Sequence, residues 1–303
     1  MFQITPKDKR NLKLAEEAAE RGDQVTALKY YLKAAENGIV SAMVDSACIY
    51  FEGKGGVEKD IDKSIEWFKK AGQLGSSAAL NNIGYIYGTM GNYKAAISWY
   101  EKAANLGDVV AMLNLSNTYR NEYNNKILAQ KWLKKAESLT DTAAIRRVAE
   151  FYFVEDFDKN HIGKAIELYK KAIGLGDTAA YKELGDLYFE LDDFGRAHHV
   201  YNDGANAGNV ECMTNLGMML IYAPRCFEPA KYWLSKAVAH GDKDAIKFLG
   251  ELYEEYKNFP KALRCYRKAV MHGVTEAAED VAKVKKILKR RKLNYKLKLR
   301  TLD

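Results

Sequence analysis

The stretch AISWYEKAANLG (96–107) opens on a small residue, sets an aromatic pair three and four residues later, returns to a small residue at the seventh step and ends in glycine. The same order recurs in ALKYYLKAAENG (27–38), SIEWFKKAGQLG (64–75), AQKWLKKAESLT (129–140), AIELYKKAIGLG (165–176), AHHVYNDGANAG (197–208), AKYWLSKAVAHG (230–241) and ALRCYRKAVMHG (262–273). The eight copies lie 32 to 37 residues apart. A fixed period in this range denotes stacked supersecondary units, each burying its apolar face only against its neighbours.

Residues seven apart share a helix face, so the paired small positions, such as Ala27 and Ala34 or Ala96 and Ala103, predict close approach of another helix. The bulky residue between them, for example Tyr31, Phe68, Tyr100, Tyr201 or Tyr266, is expected to fill the space the alanines leave. Glycine closes seven of the eight segments, where a left-handed C-terminal cap carries no steric penalty; Thr140 is the exception. Asp108, Asp141, Asp177, Asn209 and Asp242 follow at positions suited to cap the next helix. Each of those next helices reads Ala-x-x-Asn-Leu-Gly-x-x-Tyr or close to it, as in ALNNIGYIY (79–87) and AYKELGDLY (180–188). A mid-helix glycine costs about 1 kcal/mol against alanine and is tolerated where a neighbouring helix enters the gap.

These residues resemble the Sel-1-like repeat, a relative of the tetratricopeptide repeat, across almost the whole chain. The fullest match is 42–75, where Gly53, Gly55, Val57, Asp60 and Trp67 follow the family signature with one extra glycine. Other inter-helix loops, such as GTMGNY (88–93), are shorter and nearer the tetratricopeptide pattern. The resemblance implies an all-α, right-handed α-solenoid of about eight antiparallel helix pairs with a basic C-terminal capping helix. It implies first helices lining a concave surface and second helices forming the outside. The expected body is one domain, 1–288, with units near 4–38, 39–75, 76–107, 108–140, 141–176, 177–208, 209–241 and 242–273, a cap at 274–288 and a basic tail at 289–303.

Net charge is +7, and ten Lys/Arg against Asp303 give residues 283–303 a charge of +9, which leaves −2 for 1–282. The N-terminus has no apolar run of signal-peptide length, and no run of about 18 apolar residues occurs. Cys48, Cys212, Cys226 and Cys265 lack any shared spacing and read as buried or half-buried thiols of a reducing compartment, favouring a cytoplasmic protein. No nucleophile sits beside a base, and no catalytic, cofactor or metal residues are expected. His240 and His272 both precede a capping glycine, and GKGG (53–56) lacks phosphate-loop spacing.

Function therefore falls to binding. By resemblance, the groove positions lie three before, one after and four after the mid-helix small residue. They include Phe51, Asn81, Tyr85, Leu113, Asn117, Arg120, Arg146, Glu150, Phe153, Lys182, Asp186, Phe189 and Glu251, with Glu150 and Asp186 partly neutralising Arg146 and Lys182. Asn82, Asn114 and Asn215 are expected to bond between repeats instead. The expected activity is that of a monomeric, bacterial-type, non-enzymatic scaffold for a protein or peptide partner, regulating or neutralising it. The alternative is nucleic acid or an anionic membrane held by Lys289, Arg290, Arg291, Lys292, Lys296, Lys298 and Arg300, an option the sequence weakens by showing no second basic patch in the body.

Overall fold

The computed structural model describes residues 5–154, 159–223 and 225–300, with backbone alone at 159, 160 and 293–300. It consists of helices, with no strand among the described residues. Helix α1 (Pro6–Glu20) and α2 (Gln24–Ala35) form the first antiparallel pair. The next three pairs are α3 (Val40–Glu52) with α4 (Ile61–Gln73), α5 (Ser77–Thr89) with α6 (Tyr93–Asn105), and α7 (Val109–Asn121) with α8 (Lys126–Glu137). Then follow α9 (Thr142–Val154), α10 (Lys159–Gly174), α11 (Ala179–Glu190), α12 (Phe194–Asn206), α13 (Val210–Ile221), α14 (Phe227–Ala239), α15 (Asp244–Glu255), α16 (Phe259–Met271) and α17 (Ala277–Arg300). The chain packs as two compact units, 1–151 and 152–303.

The repeat positions explain why the pairs form. In the first unit Ala27, Ala34, Ser64, Ala71, Ala96 and Ala103 are fully buried, and so are Ala197, Ala230, Ala237, Ala262 and Ala269 in the second. Where the small residue of the first helix is glycine, the bulky residue of the second helix lies over it. A Cβ at Gly84 would sit 2.5 Å from the Tyr100 ring, one at Gly217 2.5 Å from Leu234 and one at Gly250 2.5 Å from Tyr266; Gly185 stands in the same relation to Tyr201. Glycine at these sites is the room the bulky side chain occupies. Leu133 departs from the rule by being only half-buried.

Capping follows the sequence. Gly38, Gly75, Gly107, Gly176, Gly208, Gly241 and Gly273 all adopt φ between 84° and 94°. After α8, where Thr140 replaces glycine, the Ser138 hydroxyl donates to the Lys135 carbonyl at 2.7 Å. Asp108 accepts from the Ala111 amide at 2.9 Å, Asp141 from Ala144 at 2.9 Å and Asn209 from Cys212 at 2.8 Å. The turns between the helices of a pair also need a left-handed residue. The first unit uses Gly22, Gly53, Gly91 and Asn124, whereas the second uses Asp192, Arg225 and Lys257.

The expected break at 288 is not an element boundary. Helix α17 continues to Arg300, because no glycine or proline interrupts 277–300 and Lys, Arg and Leu are good helix formers. Val284 is fully buried against α16, and Val281, Ile287 and Leu288 join the same cluster with Phe259, Tyr266 and Ala269.

Candidate protein-interaction surface

First helices carry the predicted groove positions, and the three sets fare differently. Those three before the small residue are often covered. Asn81 is 8% and Leu113 7% exposed, so neither lies on an open surface as expected. Asn114 donates to Asn81 across the repeat boundary at 2.9 Å. In the second unit Thr214, at the same position, is buried and donates to Asp242 at 2.6 Å. The inter-repeat role expected of Asn114 and Asn215 is thus met, the latter by a 3.1 Å bond to Asp186.

In the first unit the remaining positions form an aromatic and amide surface. Tyr85 on α5 is 53% exposed and meets the Phe51 ring of α3 edge-on, centroids 6.1 Å apart. The Lys59 ammonium lies 4.9 Å over the Phe51 ring. On α7, Arg120 donates to Asn117 at 3.3 Å and to Asn121 at 2.9 Å, which fixes its guanidinium along the helix. Arg146 is half-buried and already engaged, and Glu150 is exposed and held at 3.0 Å by Arg147. Tyr100 beneath Tyr85 is pushed up to about 12 by burial, so its hydroxyl stays protonated.

In the second unit the same positions are ionic and tied into the fold. Asp186 receives three donors: Lys182 at 2.8 Å, the Tyr201 hydroxyl at 2.6 Å and Asn215 at 3.1 Å. Burial, and next this bond to Asp186, raise the Tyr201 hydroxyl well above its ordinary value. Glu251 pairs with Lys247 at 3.3 Å. Phe189 is exposed and packs edge-on against Phe194 at 5.2 Å, while Phe153 is half-buried. Glu254 accepts from the Tyr266 hydroxyl at 2.9 Å and pairs with Lys283 of α17 at 2.7 Å. These groups line a hollow of about 550 Å³ with Glu255, Asp280 and Tyr222. Tyr222, 71% exposed, was invisible to the repeat pattern because it lies just past the end of α13.

The tail residues Lys289, Arg290, Arg291 and Lys292 are exposed on α17, and the side chains of Lys296, Lys298 and Arg300 lie outside the described ones. Cys212 is buried and Cys48, Cys226 and Cys265 half-buried. Burial pushes Cys48 up to about 11 and Cys212 up to about 12, far from a reactive thiolate. Among the described residues no group of three or more His, Cys, Asp or Glu can hold a metal ion, and no helix is long and apolar enough to cross a membrane.

No curated protein shows a sequence match to the chain. Among solved structures, yeast Tom70 shares the fold at TM-score 0.57 with 14% identity, over 95% of this chain and 66% of that one. A Sel1 repeat protein from Oxalobacter formigenes is 21% identical over 92% of this chain and 88% of its own, at TM-score 0.47. The antigen c5321 of uropathogenic Escherichia coli, described as an SLR fold, is 24% identical at TM-score 0.42; the match covers 91% of this chain and 63% of that one. The tetratricopeptide repeat matches 77–106. The Sel1 repeat matches 19–39, 40–76, 109–141, 142–177, 210–242 and 244–274, well over half the residues, and the chain belongs to the Sel1 repeat family.

Proposed function

We propose that the protein is a non-enzymatic scaffold that holds a protein or peptide partner on the first-helix face of its first unit. Proteins of this repeat family are generally protein interaction scaffolds. The observation that carries the assignment is Tyr85: a large aromatic, more than half exposed, braced edge-on by Phe51 on the neighbouring repeat. Exposed aromatics held rigid by a neighbour bind at low entropic cost, and such residues supply most of the energy of an interface. Asn117 and Arg120 provide directional polar contacts one repeat further on. On this reading the chain acts as a monomer in the cytoplasm.

The test is quantitative affinity capture from the native cell with wild type, Tyr85→Ala and a control, Lys94→Ala, on the exposed side of α6. Tyr85→Ala should lose the captured partner by about 2 kcal/mol or more, roughly thirtyfold, with a thermal melt close to wild type. Equal capture by all three proteins overturns the assignment.

A further inference from the structure

Helix parity separates charge that the sequence total conceals. The second helices of the pairs carry 22 Lys/Arg against seven Asp/Glu, and the first helices nine against fifteen. Charge is most concentrated at the end of the second unit. Helix α16 bears Lys261, Arg264, Arg267 and Lys268, all exposed, and no acid. Helix α17, packed directly on it, adds exposed Lys285, Lys286, Lys289, Arg290 and Lys292. Its two acids, Glu279 and Asp280, are confined to its first turn. The two helices are fastened where α17 would otherwise leave the body: the Arg291 guanidinium lies 4.2 Å over the Phe259 ring.

We propose that α16 and α17 together form a platform for the phosphate backbone of duplex nucleic acid. A cationic surface of this density attracts a polyanion, and three features select the duplex. Among the described side chains of α17, the apolar stripe Val281, Val284, Ile287 and Leu288 is spent against α16 and is not available to lie in a bilayer. The two aromatics of α16 are buried, Phe259 to 8% and Tyr266 to 1%, so α16 offers no open ring on which unpaired bases stack. Helix α17 has 24 residues, a length of about 36 Å, close to one turn of duplex. Charge without base-reading geometry gives binding that is indifferent to sequence and steep in salt.

The experiment follows binding of the full chain to a fluorescent DNA duplex of about two turns across a salt series. Two triple variants, Lys261→Gln/Arg264→Gln/Lys268→Gln and Lys285→Gln/Lys289→Gln/Lys292→Gln, should each weaken binding at low salt about tenfold or more. Each should also flatten the slope of log affinity against log salt by about 2 to 3, near 0.9 for each phosphate left without its cation. A third triple, Lys29→Gln/Lys94→Gln/Lys131→Gln, neutralises exposed lysines of the first unit and should bind as wild type. The proposal falls if wild type does not bind the duplex at low salt, or if the third triple weakens binding as much as the other two. It also falls if single strands, anionic phosphatidylserine vesicles or polyglutamate bind more tightly than the duplex.

Discussion

The first-helix faces of the two units are built on one repeat pattern and have opposite chemistry. In the first unit Tyr100 of α6 lies over Gly84 and Gly88, neither of which has a side chain to bond its hydroxyl, and the neighbouring Tyr85 is more than half exposed. In the second unit the tyrosines of α12 and α16 donate to Asp186 and Glu254, drawing first-helix carboxylates into the fold. A carboxylate that satisfies a buried hydroxyl is part of the structure, and it is a poor candidate for meeting a partner even at a groove position. The contrast teaches that repeat register alone does not mark a binding residue. Whether the facing second-helix residue needs a hydrogen-bond acceptor decides it.

The largest effect should follow from breaking the ionic side. Asp186→Ala leaves the Tyr201 hydroxyl and Asn215 without their acceptor and should destabilise the protein by about 2–4 kcal/mol in urea unfolding. Adding Tyr201→Phe should recover part of that loss, since removing both partners of a bond is milder than removing one. Tyr85→Ala, by contrast, should cost under about 1 kcal/mol, because the ring is more than half exposed. If the two single variants are equally destabilising, the division between structural carboxylates and open aromatics fails.

A smaller effect tests the turns. The first unit places glycine at most of its left-handed turn positions, and the second holds Lys257 at φ 58°. Lys257→Gly relieves a left-handed side chain and should raise stability by about 0.5–1 kcal/mol. Gly91→Lys, which imposes that strain at φ 74°, should lower it by a similar amount. Melting temperatures moving the same way in both variants would overturn the comparison.

The smallest effect concerns pH. Asp45 on α3 has its carboxyl raised by burial and next by the nearby Glu16. A carboxyl that holds its proton more tightly when folded disfavours folding once ionised, so this contribution erodes as pH rises from the ordinary carboxylate range through the raised value. Asp45→Asn should therefore raise the melting temperature at neutral pH and leave it unchanged below that window. Asp60 on the first unit's surface is lowered instead, by hydrogen bonds from Lys63, and its contribution is lost as pH falls. An Asp60→Asn melt should show its deficit at neutral pH only. A neutral-pH gain from Asp60→Asn, or a loss from Asp45→Asn, would refute these signs.

Much of the site was legible in part. Of the positions named from spacing, Tyr85 and Phe189 are exposed, and Asn117 and Arg120 are half-buried. Asn81 and Leu113 are buried instead, and Asn81 is bonded by Asn114 of the following repeat, a contact between repeats that spacing within one repeat does not reveal. Glu251 was among the positions named from spacing, but Tyr222 was not, because the hollow they share is assembled from the end of α13, α15, α16 and α17, which no single period relates.

The sequence by itself determined the helices, their caps and their pairing. Each rests on interactions within one repeat: glycine where φ is near 90°, an Asp or Asn three residues before the amide it accepts from, alanine where helices touch. Only the tertiary structure decided which groove carboxylates were already claimed by buried tyrosines, and how a nearly neutral body separates its charge. Tyr201 meets Asp186 from 15 residues away and Arg291 meets Phe259 from another helix. A pattern that repeats every 32 to 37 residues fixes the helices that carry such pairs, but the pairs themselves depend on the packing between helices.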